Sequence, residues 1–372
     1  MSRPRAKSEL RRCEVTLESS GNACATKGWT PNANVATTQQ SPSSQLVPDL
    51  RYNACAYART NLLGPVLRLA SLCYDALRLT GVTTLARRLS GRDGVILCYH
   101  NVVPQAADGP WDELGLHMPL PTFRRQMRWL RDHYAVVPLE ELVGRLLRGR
   151  SARGVAAVTF DDGYVGVFEH AWPLLRDFGL SATVFLIANA PGREEGFWWD
   201  DPDVLRVHST ERQQHWLTTF QGDRARIVDS VVPARASWHA HQWCRPATWE
   251  TIASAAASGG LQIGAHTATH RSLPALNDAD LNSEVIESRD VIARRTGVAP
   301  VFFTYPYGLW NDRVRRAVRA AGYRAAFTLA PDTRTMKRDP WTLPRLNVPA
   351  SIDDAAFEAW TAGLNLRRRQ SA

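Results

Sequence analysis

The chain has 372 residues, 44% of them apolar, and a formal net charge of +9. An apolar share of this size belongs to an ordinary globular protein, and the length holds one large domain or two ordinary ones. Only Lys7, Lys27 and Lys337 among the 45 basic residues are lysines, and the arginine pairs (Arg87-Arg88, Arg294-Arg295, Arg367-Arg368-Arg369) come without any recognition motif. The composition therefore predicts no nucleic-acid partner; a basic surface still suits an anionic glycan or a membrane face.

Residues 1–58 are rich in Ser, Thr, Asn, Pro and Arg with little periodicity, which predicts a disordered extension. That stretch shows no apolar core of signal-peptide length. No run reaches the ~18 uninterrupted apolar residues of a bilayer span. The nearest, Leu62 to Leu79, is broken by Arg68, Asp75 and Arg78. Residues 59–91 are accordingly expected to form an amphipathic helical segment on the outside of the domain, with a membrane-surface role as a secondary reading. These features favour a cytoplasmic or membrane-associated protein. Oligomeric state is left open. The six cysteines (Cys13, Cys24, Cys55, Cys73, Cys98, Cys244) contain no Cys-x-x-Cys pair and predict no disulfide framework; Cys98 reads as a buried small side chain.

From Gly94 onward short apolar runs alternate with helical segments. Strands are expected at 94–99, 155–160, 182–187, 261–265, 301–305, 325–329 and 345–348. Helices are expected at 121–133, 139–148, 168–178, 246–258, 278–295 and 311–321. Asp278 and Asn311 are candidate N-caps, and Gly179, Gly259 and Gly297 sit where C-terminal glycines do. Alternation of this kind implies parallel βα units. The fold class is α/β, a distorted or incomplete parallel (β/α) barrel of about seven strands with a partly helical insertion; an open doubly wound sheet is the alternative. Residues 190–245, with Trp198, Trp199, Trp216, Trp238 and Trp243, form the insertion. The Trp198-Trp199 pair is a candidate sugar-stacking surface, while Asp200 and Asp201 read as loop caps. Residues 351–372 supply a C-terminal helix and a basic tail.

Two runs carry chemistry. Thr159-Phe160-Asp161-Asp162-Gly163-Tyr164 places adjacent carboxylates at the end of the strand Val155-Ala156-Ala157-Val158. His266-Thr267-Ala268-Thr269-His270 places two imidazoles four residues apart after Leu261-Gln262-Ile263-Gly264. A parallel sheet or barrel gathers such strand ends at one face. One Asp and two His suffice to hold a divalent metal and leave a position open; the second Asp is left for acid–base work. The reading is a metal-dependent hydrolase with Asp162, His266 and His270 as ligands and Asp161 as the base that takes a proton from water. The metal expected is zinc, with cobalt or nickel as alternatives.

Thr-Phe-Asp-Asp-Gly, His-Thr-x-x-His and then Phe303-Thr304-Tyr305-Pro306-Tyr307-Gly308, in that order, resemble the polysaccharide deacetylase family (the NodB-homology domain, carbohydrate esterase family four). Val95-Ile96-Leu97-Cys98-Tyr99-His100, Phe197-Trp198-Trp199-Asp200 and Leu343-Pro344-Arg345 resemble its exopolysaccharide-linked members. The likeness covers roughly residues 92–350. It implies the same ligands and base, an oxyanion contact from the backbone N–H of Tyr307 after Pro306, and removal of N-acetyl groups from amino sugars of a polysaccharide or its precursor. An acetylated glycan is then the partner, with Trp198, Trp199, Pro306 and Arg345 as substrate contacts. Two departures stand out. The family's base-orienting Arg is replaced by Thr304, for which Arg345 is a candidate substitute. The late Leu-x-x-His that supplies a general acid has no counterpart, since no histidine follows His270; His100, at the end of the first strand, is the candidate. The rival readings are an O-acetyl esterase or small-amide hydrolase on the same fold, and a decayed enzyme that only binds glycan.

Overall fold

The computed structural model describes residues 64–89, 94–105, 114–234, 239–329 and 339–365. The expected disordered extension, Trp238 and the basic tail from 366 lie outside the described residues. Among the described residues there are ten strands: β1 (Val95–Tyr99), β2 (Asn101–Val103), β3 (His117–Pro119), β4 (Ala135–Val136), β5 (Val155–Phe160), β6 (Ala182–Leu186), β7 (Leu261–Ala265), β8 (Phe302–Thr304), β9 (Ala325–Leu329) and β10 (Leu343–Asn347). Strands β1, β10, β9, β8, β7, β6 and β5 hydrogen-bond in that order, all parallel, and β5 pairs back onto β1, so seven strands close into a barrel. This settles the choice between barrel and open sheet. The two-residue β4 adds to the beginning of β5, and β2 pairs with β3 beside the barrel.

Strands β1 and β5 are buried along their whole length, as strands covered on both faces must be. Alternation decides which side chains enter the barrel. Ile96, Ala157, Phe185, Phe302, Phe327 and Leu343 pack into one interior cluster. Leu139, Leu142 and Leu146 of the helix Leu139–Leu147 join it. The neighbouring positions Leu97, Val158, Val184, Phe303 and Leu346 belong instead to the layer between barrel and helices. A Cβ on Gly264 would lie 2.3 Å from the Phe185 ring, so glycine there is what lets Phe185 fill the barrel. Extending the interior register by two residues past each cluster reaches the functional side chains: Ile96 and Cys98 lead to His100, and Ala157 and Thr159 lead to Asp161. Fully burying each aromatic of this interior is worth roughly 1.5–3 kcal/mol.

Some boundaries differ from expectation. The helix Asp278–Thr296 is capped by Asn277, whose Oδ1 accepts from the Asp280 N–H, so Asp278 is not the cap. Asn311 caps Asp312–Ala320 as expected, and Gly297 ends Asp278–Thr296 with a left-handed φ of 76°. The segment expected to be one amphipathic helix is two, Gly64–Leu79 and Val82–Leu89, separated at Gly81 with φ 75°. Its Tyr74 is buried, accepting a hydrogen bond from Trp360 Nε1 of the C-terminal helix Asp354–Thr361 at 2.8 Å. No helix among the described residues is long and apolar enough to cross a membrane. The insertion is partly helical, with Pro202–Arg206, Thr210–Thr218 and Arg224–Val231.

Candidate metal and catalytic centre

The strand ends bring the two motifs together. Asp162 Oδ1 lies 3.6 Å from His266 Nε2 and 3.7 Å from His270 Nε2, and the two Nε2 atoms are 3.1 Å apart. Asp161 Oδ2 is 4.0 Å from His266 Nε2. All four residues are buried. The divergence of the two adjacent carboxylates has a backbone cause: Asp162 adopts a left-handed φ of 71°, which turns its side chain away from the strand register that Asp161 continues. Thr267, His270 and Tyr307 also have positive φ, at 65°, 68° and 59°. Non-glycine residues held there cost about 1–3 kcal/mol each, and such strain collects at functional sites.

The imidazole tautomers follow from their partners. His266 Nδ1 lies 3.0 Å from the Thr304 carbonyl and 2.6 Å from its hydroxyl. A carbonyl only accepts, so Nδ1 carries the proton and Nε2 presents a lone pair. The Tyr307 hydroxyl donates to the His270 carbonyl (3.2 Å) and therefore accepts from His270 Nδ1 at 3.1 Å. Both Nε2 lone pairs thus face one another and Asp162 Oδ1, a buried atom with no hydrogen-bond partner. Two lone pairs and an orphan carboxylate oxygen repel unless a cation lies among them. Separations of 3.1–3.7 Å suit a tetrahedral donor set with bonds of about 2.0–2.2 Å. The residues fit a divalent metal, and the Nδ1 partners are of the kind that orient metal-binding histidines. Burial, then the Asp161 charge and the Asp200 charge, push the Asp162 pKa well up; burial lowers those of His266 and His270. A cation would reverse the first shift, because charge attraction favours the ionised carboxylate.

Asp161 is held differently. Arg345 Nη1 donates to its Oδ1 at 2.7 Å and Nη2 to its Oδ2 at 2.6 Å. Burial would raise the Asp161 pKa, but the guanidinium outweighs it and holds the carboxyl well below the usual range. Arg345 Nη1 also reaches Thr159 Oγ1 at 3.2 Å. Arg345, expected as a substrate contact, is fully buried behind Asp161. It is corrected to a partner of that carboxylate, which is the other place the sequence offered it.

His100 follows β1 and lines the same cavity as Asp161, Asp162, His266, His270 and Tyr307. Its nitrogens lie close enough to Asp161 and Cys98 for one atom of each to fall within 4.8 Å of the others. Burial lowers the His100 pKa to about 4, against the pull of Asp161, so the ring is neutral near pH 7. Trp198 and Trp199 form a wall of the cavity but are only 4% and 6% exposed, not open stacking surfaces. They meet edge to face at 5.4 Å; Trp216 packs against Trp198, and the Trp199 ring lies 4.5 Å from that of His270. The insertion's own core and the cavity wall are therefore the same rings. Pro306, expected as a substrate contact, is buried as the first residue of the turn Pro306–Gly308 and does not line the cavity as Tyr307 does.

Glu284 and His117 went unrecognised in the sequence. Glu284, on Asp278–Thr296, accepts from the Thr269 N–H at 2.9 Å and from its hydroxyl, while Thr267 Oγ1 accepts from the His270 N–H at 2.9 Å; together they hold the histidine loop. Asp200, read as a cap, is no cap: it accepts from His117 Nε2 at 3.1 Å and from the Tyr164 hydroxyl at 2.7 Å. Asp201 does cap Pro202–Arg206. No spacing signal joins His117, Tyr164 and Asp200, because they meet from three separate segments.

A family model described as polysaccharide deacetylase matches residues 148–326. The Bacillus subtilis protein YxkH is 22% identical over 267 residues, 71% of this chain and 75% of its own. The poly-beta-1,6-N-acetyl-D-glucosamine N-deacetylase of Staphylococcus epidermidis is 21% identical over 257 residues, 64% of this chain and 70% of its own. Among solved structures, IcaB from Ammonifex degensii superposes with a TM-score of 0.52 at 21% identity, covering 73% of this chain and 98% of that one. The deacetylase PplD of Streptococcus pyogenes gives 0.51 at 17% identity with the same coverage. At these identities the superpositions speak to the barrel alone. With its two motifs, its closed barrel and the family-model match over residues 148–326, the chain is similar to the polysaccharide deacetylases, and it is a hydrolase acting on carbon–nitrogen bonds.

Proposed function

We propose that this protein removes N-acetyl groups from a β-linked N-acetylglucosamine polymer or its precursor, with a divalent metal held by Asp162, His266 and His270. The observation that carries the reading is the convergence of Asp162 Oδ1 with both Nε2 lone pairs at 3.1–3.7 Å. A divalent cation there supplies Lewis acidity to the acetyl oxygen and makes water a competent nucleophile near neutral pH; zinc suits the donor set best, with cobalt or nickel as substitutes.

The chain's own residues supply the rest. Asp161 accepts the proton of the attacking water. Its pairing with Arg345 keeps the carboxylate ionised and aimed, and makes its protonated form short-lived, so the proton passes on. The leaving amine must receive one. Neutral His100, beside Asp161 in the cavity, is placed to relay that proton or to hold the sugar. The Tyr307 backbone N–H, on a turn whose φ of 59° re-aims it, is the proposed oxyanion contact, a kind of donor whose loss costs roughly 10²–10³ in rate. Trp198 and Trp199 wall the sugar site, and Asp161, Asp162 and the histidines form its reactive floor.

The test is acetate release from β-1,6-linked N-acetylglucosamine oligomers, with β-1,4-linked oligomers and an O-acetylated glycan alongside. Metal-dependent release from the amide substrates is expected. Release from the O-acetyl ester only, or binding without release from any of them, would refute the reading.

A further inference from the structure

The barrel mouth holds a polar side chain that neither the metal site nor its supports use. β10 is buried along its length up to its last residue, Asn347, which is partly exposed. Side chains alternate along a strand, and on β10 the inward series runs Leu343, Arg345, Asn347. Leu343 packs in the interior cluster, and Arg345 meets Asp161. Asn347 comes next, at the open end. The neighbouring strand fixes its height. It pairs in register with Cys98 of β1, whose Sγ lies 3.5 Å from Asp161 Oδ2, and the Val348 N–H donates to the Cys98 carbonyl at 2.9 Å. Asn347 lines the same cavity as Asp161, Asp162, His266 and His270.

Other polar groups of that cavity are engaged. The Tyr305 hydroxyl donates to the Trp341 carbonyl at 2.8 Å, and the Tyr307 hydroxyl is taken up by His270. Asn347 Oδ1 is a buried atom with no hydrogen-bond partner among the described residues. A buried acceptor left unpaired carries a desolvation cost that an apolar side chain of the same shape avoids, and folded proteins keep few of them. An amide at this position is accounted for when a donor reaches it from the cavity. An N-acetylamino sugar carries two kinds of donor, its acetamide N–H and its ring hydroxyls, and an amide oxygen accepts from either. The terminal amide torsion is soft, so the oxygen can turn to such a donor without any shift of β10.

We propose that Asn347 is a substrate-binding residue whose amide oxygen accepts a hydrogen bond from the reacting N-acetylamino sugar, at its acetamide N–H or at a ring hydroxyl. The proposal rests on the deacetylase reading above and adds a named contact to it. A purely structural amide would show its loss in stability and leave the affinity for sugar alone. A substrate-binding amide does the reverse, because the metal-free, sugar-free protein gains by losing an unpaired acceptor.

The experiment uses the full chain. Asn347→Leu deletes the amide and fills its volume. It is expected to raise KM for β-1,6-linked N-acetylglucosamine oligomers roughly five- to tenfold, the scale of one neutral hydrogen bond, with kcat within about twofold. Zinc affinity should be unchanged, and the metal-free melting temperature no lower than that of the unaltered protein. Three analogues identify the donor: oligomers whose reacting unit is 3-deoxy, 4-deoxy, or acetylated through a 2-O ester in place of the acetamide. One of them should cost the unaltered protein the same factor in KM and cost the leucine variant nothing more. Should Asn347→Leu fail to fold, Asn347→Ala is read in the same way on KM and on the analogues. An unchanged KM at any melting temperature, a loss confined to kcat or to zinc affinity, or penalties that all three analogues add in full to the variant overturns the proposal. If the unaltered protein releases no acetate from any oligomer, it is the deacetylase reading that fails. The comparison then moves to oligomer binding by calorimetry, where equal affinities of the two proteins overturn the role of Asn347.

Discussion

Arg345 grips both oxygens of Asp161, Nη1 to Oδ1 at 2.7 Å and Nη2 to Oδ2 at 2.6 Å, across the barrel interior from two strands away. The pair spans the closure of the barrel: Asp161 follows β5 and Arg345 lies on β10, and β1 hydrogen-bonds to both strands. A planar fork fits a carboxylate in one orientation only, which an ammonium cannot reproduce. Arg345→Lys should therefore reduce acetate release about 10²-fold through misplacement of Asp161. Arg345→Leu, which leaves a buried carboxylate unpaired, should cost about 3–5 kcal/mol in urea unfolding. Unchanged turnover in the lysine variant would remove Arg345 from the site's machinery.

Asp161 and Asp162 are adjacent, yet their substitutions should separate cleanly. Asp161→Asn should keep zinc bound and lose about 10²–10⁴ in kcat, the usual range for a positioned base. Asp162→Asn should lose zinc itself. Equilibrium dialysis followed by acetate release distinguishes the two, and loss of metal in Asp161→Asn would exchange their roles.

Metal removal offers an independent check. Chelator treatment should abolish activity, and zinc or cobalt should restore it. Zinc at about 100 times its dissociation constant should add roughly 2.7 kcal/mol to the unfolding free energy. A chelated protein with undiminished turnover would contradict the assignment.

Tyr307 contacts His270 through its hydroxyl, whereas the proposed oxyanion contact uses its backbone N–H. Tyr307→Phe removes only the first. Metal affinity should fall by roughly 10-fold or more, and saturating zinc should restore kcat. A kcat that stays low at saturating zinc would place the hydroxyl in the chemistry instead.

His100 sets a pH dependence of stability. Its pKa is lowered from 6.5 to about 4 by burial, so below pH 6.5 the unfolded chain binds a proton that the folded chain refuses. Its contribution therefore opposes folding increasingly as pH falls from about 6.5 to about 4, and is nearly absent at pH 7. Between pH 7 and pH 5 the loss amounts to about 2 kcal/mol. His100→Gln should remove that part of the decline in urea unfolding followed in chelator, whereas an identical decline in both proteins would show that His100 is not buried neutral.

The two donor motifs, the parallel βα order and the strand that leads into Asp161 were legible in the sequence because each is local: short apolar runs alternating with helical segments, a turn after a strand, a four-residue spacing of imidazoles. The N-cap at Asn277 in place of Asp278 shows how adjacent polar residues blur such a reading. What the sequence by itself determined is the set of donor groups and the strand ends that carry them. Only the tertiary structure decided that Arg345 turns inward to Asp161, that the tryptophans wall the cavity edge to face, and that Asp200 meets His117 and Tyr164. Those pairings join residues far apart in the chain, and closure of the barrel and docking of the insertion bring them within hydrogen-bonding range, a relation that no periodicity along the chain encodes.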